Sequence, residues 1–136
     1  MEVTKILVVS ECDPFRDSLR RILDRNLYSV EFISYGELAP IAMLHNSPDV
    51  VLLDSEGKLD VACGALKLIQ SYTIAPVIVL MDDKDAENTY RELDGMHADG
   101  FLVKPVTQVL LEGYIRAKLR RVLQFNEKPY HKFAIV

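Results

Sequence analysis

The sequence predicts an α/β fold, a doubly wound parallel sheet with helices on both faces, and three observations carry that prediction. Four short runs are almost continuously apolar: residues 6–9, 50–53, 77–81 and 101–103. Runs of that length, rich in Val and Ile, suit strands buried on both sides, as in a parallel sheet between helices. Between the runs the apolar spacing changes to a helical period. The resulting strand–helix alternation, five times over, leads through right-handed crossovers to a sandwich of helices around one sheet.

Each element follows from local chemistry. After the first strand, Phe15, Leu19, Ile22 and Leu23 fall on one helical face. Asp13-Pro14 is expected to open that helix, Asp as the cap and Pro in the first turn. A second strand over residues 29–34 mixes Val30, Phe32 and Ile33 with Glu31 and serines, a polarity that suits a sheet edge. A second helix is expected over residues 37–45, with Pro40 in or near its first turn. Ala62, Ala65, Leu66 and Ile69 mark a third, opened by Asp60, and Ala86, Tyr90 and Leu93 a weaker fourth. Leu111, Ile115, Leu119 and Val122 mark a long fifth helix after Pro105. Residues 1–124 therefore read as one domain, and residues 125–136 as a tail or the start of a linker.

The chain has 136 residues, an apolar content of 49% and a charged content of 26%, a globular balance that excludes disorder. Its formal net charge of −4 argues against direct nucleic-acid binding by this domain. The charge is unevenly placed. Residues 81–99 hold seven acids against Lys84 and Arg91, whereas residues 104–136 hold seven bases against Glu112 and Glu127. Cys12 and Cys63 form no CxxC pair and set no disulfide framework. No apolar run approaches the ~18 residues of a membrane span, and the expected location is the cytoplasm.

Ligands of an open parallel sheet bind beyond the carboxyl ends of its strands. The residues there are Ser10, Glu11, Cys12 and Asp13, then Asp54, Ser55 and Glu56, then Asp82 and Asp83, and finally Lys104 and Pro105. Several acids thus converge on one lysine. Oxygen ligands of this type suit Mg2+, and an ionised Asp can serve as a nucleophile toward a phosphoryl group. Phosphoryl transfer needs mainly positioning and charge neutralisation, which a cation and a lysine supply.

Over roughly residues 3–124 the chain resembles the receiver domain of two-component response regulators. The resemblance rests on Lys5-Ile6-Leu7-Val8-Val9, on Arg16 and the following helix, and on Pro48-Asp49-Val50-Val51-Leu52-Leu53-Asp54. It is completed by Pro76 to Leu80 and by Ala98-Asp99-Gly100-Phe101-Leu102-Val103-Lys104-Pro105. It implies a flavodoxin-like sheet of order 2-1-3-4-5 with five helices. It also implies that Asp54 is the phosphoacceptor, that Lys104 binds the phosphoryl oxygens, and that the bond to Pro105 is cis. Mg2+ would be held by Glu11, Asp54 and the backbone carbonyl of Glu56. Phe101 would be the aromatic switch, with Met81 at the position of its hydroxyl-bearing partner. Such a domain is not a classical enzyme; it undergoes at most self-phosphorylation from a phosphodonor and slow autodephosphorylation. A sensor histidine kinase or a phosphotransfer protein would be its partner.

The chain departs from the family pattern at four places. Ser10 stands where the first acid of a pair is expected, which should weaken Mg2+ binding; Asp13 lies nearby, although a helix cap is its more ordinary role. Met81 replaces Thr or Ser, and a thioether has no proton to donate, so coupling to Phe101 should be impaired. Asp82 and Glu56 add negative charge around Asp54. The loop Ser55-Glu56-Gly57-Lys58-Leu59-Asp60 lacks the usual Met-Pro-Gly turn.

Two functions fit this pattern. One is a phosphorylatable receiver in phosphorelay signal transduction; the other is a pseudo-receiver, a protein-interaction module that signals without phosphorylation. A nucleotide or flavin binder fits badly, because the loop at residues 10–15 has no glycine to bring backbone N–H groups to a phosphate. The acidic fourth helix and basic fifth helix also suggest a homodimer through the fourth helix, fifth strand and fifth helix. The competing account is a pair of solvated helix faces, since exposed ion pairs contribute only about 0–1 kcal/mol.

Overall fold

The structure, a computed structural model, is described over residues 3–38 and 47–127, the last helix beyond residue 121 by its backbone alone. Five parallel strands form one sheet: β1 (Thr4–Val9), β2 (Tyr28–Ile33), β3 (Val50–Asp54), β4 (Val77–Met81) and β5 (Gly100–Val103). Their order is β2-β1-β3-β4-β5, the predicted one, with β2 at one edge. The helices are α1 (Asp13–Ile22), α2 (Leu59–Tyr72), α3 (Ala86–Asp94) and α4 (Gln108–Glu127). Single 3-10 turns cover Tyr35–Glu37 and Asp83–Asp85. The helix expected over residues 37–45 falls mostly outside the described residues; its first residue, Glu37, ends a 3-10 turn. The last helix runs on to Glu127, past the expected domain limit at residue 124.

Side chains alternate across the sheet with a period of two, and each face has its own helices. Leu7, Val9, Val51, Leu53, Val77, Val79 and Met81 form one core with Ala62, Leu66, Ile69 and Leu93 of α2 and α3. Ile6, Val8, Val50, Leu52, Ile78 and Leu80 form the other with Leu19 of α1 and Leu111 and Ile115 of α4. The central strands β3 and β4 are buried at every residue, which is why their sequences show no alternation.

Two aspartates clamp the sheet at its amino edge. Asp49 Oδ2 accepts the Lys5 N–H at 2.8 Å, and the Asp49 N–H donates to the Lys5 carbonyl at 2.8 Å. Asp99 repeats the arrangement with Val77, at 2.7 and 2.9 Å. Next to it Gly100 lies under Tyr114 of α4, where a Cβ would overlap the ring. The Tyr114 hydroxyl instead accepts the Phe101 N–H at 3.3 Å.

Two expected helix caps differ. Cys12, not Asp13, is the residue before α1; Asp13 and Pro14 are its first two helical residues, so the Asp13 charge faces the helix dipole rather than capping a free N–H. Likewise α2 begins at Leu59 after Lys58, with Asp60 inside the first turn. In both cases the loop enters one or two residues earlier than the polar residue that was expected to stop it.

Candidate functional site

The period-two register that builds the α1–α4 core also builds the site. Ile6 and Val8 are followed by Ser10, Val50 and Leu52 by Asp54, Ile78 and Leu80 by Asp82, and Leu102 by Lys104. Each polar residue is the next step of the same face, where the apolar run stops at the carboxyl edge of the sheet.

There the Lys104 Nζ lies 2.5 Å from Asp54 Oδ1 and 3.5 Å from Asp82 Oδ1. It also sits 4.2 Å from the ring centre of Phe15 on α1, whose π face supports the ammonium from the apolar side. Asp54 is fully buried. Its Oδ1 accepts a further bond from the Glu56 N–H at 3.2 Å, and its Oδ2 accepts the Ser10 hydroxyl at 2.7 Å. The Ser10 oxygen in turn accepts the Cys12 N–H at 3.2 Å, and the Ser10 carbonyl accepts the Arg16 Nε–H at 2.5 Å. The Lys104 N–H donates to the Met81 carbonyl at 2.8 Å, and the Lys104–Pro105 bond is cis.

The loop after β3 turns through left-handed residues, Glu56 at φ 51° and Gly57 at φ 70°. Gly57 is needed twice over, for its positive φ and because a Cβ would press on the Asp85 carboxylate. The turn sends the Glu56 side chain back over β1, where Oε2 accepts the Glu11 N–H at 3.0 Å. Burial pushes the Glu56 carboxyl above its ordinary pKa, and the Asp54 and Glu11 charges add to this, against the Glu11 N–H and Lys58. The Glu11 side chain itself is 43% exposed and lies 4.0 Å from Lys58 Nζ.

Of the residues singled out in the sequence, Asp54, Lys104, Asp82, Ser10 and the Glu56 N–H meet directly. Glu11 joins through its backbone. Asp13 is exposed in the first turn of α1, and the group from that strand end that meets Asp54 is the Ser10 hydroxyl. Met81 and Phe101 are on the opposite face of the sheet: Met81 is buried in the α2–α3 core, and Phe101 packs against the same core. The Phe101 ring meets Tyr90 of α3 edge-on, at 4.7 Å and 66°.

Tyr35 is a site residue that no sequence motif marks. Its hydroxyl donates to the Asp54 backbone carbonyl. Burial pushes the phenol pKa far above its usual value, and the charges of Glu56, Asp54 and Glu11 push it further. The only signal in the sequence was a tyrosine two residues past a strand end, in a 3-10 turn too short to show a period. Among the described residues no three Asp, Glu, His or Cys side chains converge as a ready-made metal cluster.

The doubly wound sheet thus brings a buried aspartate and a lysine together at the carboxyl ends of its strands. No family model matches the sequence. The chain is 36% identical over 118 residues to the response regulator MprA of Mycobacterium sp. (strain KMS), covering 86% of this chain and 51% of that protein. It is 33% identical over 127 residues to the probable transcriptional regulator ycf27 of Porphyridium aerugineum, covering 90% and 50% respectively. The fold matches the signal receiver domain of a putative Luxo repressor protein from Vibrio parahaemolyticus. The TM-score is 0.76 at 18% identity, over 92% of this chain and 96% of the other. The chain belongs to the receiver-domain family of two-component response regulators. Domains of this family are phosphoacceptor modules rather than classical enzymes. The chain spans about half the length of the curated relatives it matches. Among the described residues no helix is long and apolar enough to cross a membrane.

Proposed function

We propose that Asp54 accepts a phosphoryl group from the phosphohistidine of a sensor histidine kinase or a phosphotransfer protein. One observation carries this reading: a fully buried aspartate at the carboxyl edge of the sheet with the Lys104 ammonium 2.5 Å away. A carboxylate oxygen of Asp54 attacks phosphorus, and the P–N bond breaks. Its electron pair stays on the imidazole nitrogen, and Asp54 becomes an acyl phosphate. Lys104 neutralises charge on the transferred group, and the Glu56 N–H on Oδ1 holds the carboxylate plane.

The donor set fits Mg2+ in type, because Glu11, Asp54 and the Glu56 carbonyl offer only hard oxygens. The Glu56–Glu11 hydrogen bond gathers those three residues into one patch on adjacent strands. Bound there, the cation would supply further charge neutralisation to the phosphoryl oxygens. Residues 1–124 act as the receiver unit in this reading, with 125–136 as a tail or linker, in the cytoplasm and without direct nucleic-acid contact. The test is incubation with acetyl phosphate and Mg2+, followed by intact mass. An adduct of one phosphoryl group that disappears in Asp54→Asn is expected; an unmodified wild-type chain would reject the reading.

A second reading, the pseudo-receiver, is favoured by Met81. Its buried thioether offers no proton to a phosphoryl oxygen, so Phe101, on the same face, has no hydroxyl to follow inward. Partner binding unchanged in Asp54→Asn would support it. Self-association through α3, β5 and α4 belongs to either reading. Against it, Glu87 is already paired with Arg91 at 3.2 Å on its own helix. Sedimentation at low and high salt decides, a monomer under both conditions excluding the dimer.

A further inference from the structure

Among the described residues, Ser10 is the one side chain that donates a hydrogen bond to Asp54 Oδ2, and that bond is wholly buried. The two oxygens of Asp54 have different partners. Oδ1 faces the Lys104 ammonium and the Glu56 N–H, whereas the hydrogen bond to Oδ2 comes from the Ser10 hydroxyl. The hydroxyl is not free to turn away. Its oxygen already accepts the Cys12 N–H, the backbone of residue 10 is tied to Arg16, and the residue has no exposed surface. Because an ionised carboxylate only accepts, the proton on Ser10 Oγ must point at Asp54.

We propose that the Ser10 hydroxyl is a resident competitor for a divalent cation at Oδ2 of Asp54. This rests on the reading of Asp54 and Glu11 as the cation's carboxylate ligands. The argument is one of sign. A carboxylate at position 10 would repel Asp54 and be drawn to a cation between them. A hydroxyl is attracted to Asp54 and satisfies it with no cation present. A cation that takes Oδ2 meets the positive end of the Ser10 hydroxyl on the same oxygen, and pushing that proton aside would leave a buried donor without its acceptor, at a cost in desolvation. Ser10 therefore does more than omit a ligand: it stabilises the cation-free carboxylate and opposes loading.

Titration calorimetry with Mg2+, and with Mn2+ as a second probe, on the full chain tests this. Ser10→Ala removes the donor and adds no ligand, so the dissociation constant should fall by about tenfold, the factor that accompanies ~1.4 kcal/mol. Ser10→Thr, which keeps the hydroxyl, should bind like the wild type. Ser10→Cys, of similar size but a weak donor, should bind more tightly and covers the case in which Ser10→Ala does not fold. Unchanged or weaker binding in the folded Ala or Cys variant would overturn the proposal, since a residue that supports the cation through water loses affinity on removal. Absence of binding to every variant would overturn it as well. The titration involves no phosphoryl transfer, so tighter binding by Ser10→Ala together with no acetyl phosphate adduct would leave this inference standing and reject Asp54 as acceptor.

Discussion

The ammonium of Lys104 is shared by two carboxylates, 2.5 Å from Asp54 and 3.5 Å from Asp82, while the ring of Phe15 closes its apolar side. Asp54 is fully buried and the Lys104 side chain only 15% exposed, so each is the main compensation of the other's charge. Removing one partner of such a pair costs far more than removing both.

Lys104→Met should accordingly destabilise the fold by about 3–5 kcal/mol. Adding Asp54→Asn should restore much of the loss, because the fully buried carboxylate is then gone and only the partly solvated Asp82 is left without its partner. Urea unfolding of the two single variants and the double variant measures this. Additive losses would mean that the pair is not coupled.

Gly100→Ala should be destabilising by about 1–3 kcal/mol, the usual range for overpacking. The new methyl would meet the Tyr114 ring and push α4 from the sheet. Tyr114→Ala on its own opens a gap, yet in the Gly100→Ala background it should relieve the clash. Thermal unfolding of the four chains should show this compensation as a non-additive cycle.

Asp99→Ala leaves the part-buried Val77 N–H without its acceptor and should cost about 1–3 kcal/mol. Asp49→Ala exposes the Lys5 N–H to water instead and should cost less. Hydrogen exchange at Val77 and Lys5 would report the same ranking; equal losses would argue against this difference in exposure.

Glu37 carries a pH dependence that reaches the site. Its carboxyl is held below its ordinary pKa by the Ser34 N–H, 2.8 Å away, in the 3-10 turn that carries Tyr35 toward Asp54. The folded chain binds this proton less readily than the unfolded one. The contribution is thus present above the unfolded pKa and lost as pH falls through the lowered folded value. Glu37→Gln should be less stable than the wild type at pH 7, with the difference vanishing at acid pH. A difference independent of pH would assign the effect to packing.

The runs of β1, β3 and β4 were legible because they are buried on both faces, where hydrophobicity alone specifies the strand; β5, expected to be buried in the same way, is the second edge of the sheet, with Phe101 and Leu102 half-buried and Val103 exposed. Lys104 and Asp54 were legible because a polar residue ending an apolar run has one place to go in a parallel sheet, its carboxyl edge. The caps of α1 and α2 were misplaced by one or two residues, since Asp13 and Asp60 serve the helix dipole as well inside the first turn as before it. Tyr35 stayed hidden because its partner is a backbone carbonyl 19 residues away, which leaves no pattern in either segment.

By itself, the sequence determined the layering and the strand-end residues of the site, because both follow from where apolar runs begin and stop along single strands. In the sequence Ser10 stands only as a missing acid. Its active part, a buried donor aimed at Asp54 Oδ2, was decided by pairing β1 beside β3, with their ends level. The same is true of Lys104 lying between Asp54 and Asp82, and of Met81 and Phe101 sharing a face away from them. Those relationships join residues on different strands, so their distances exist only once the sheet has set strand order and register.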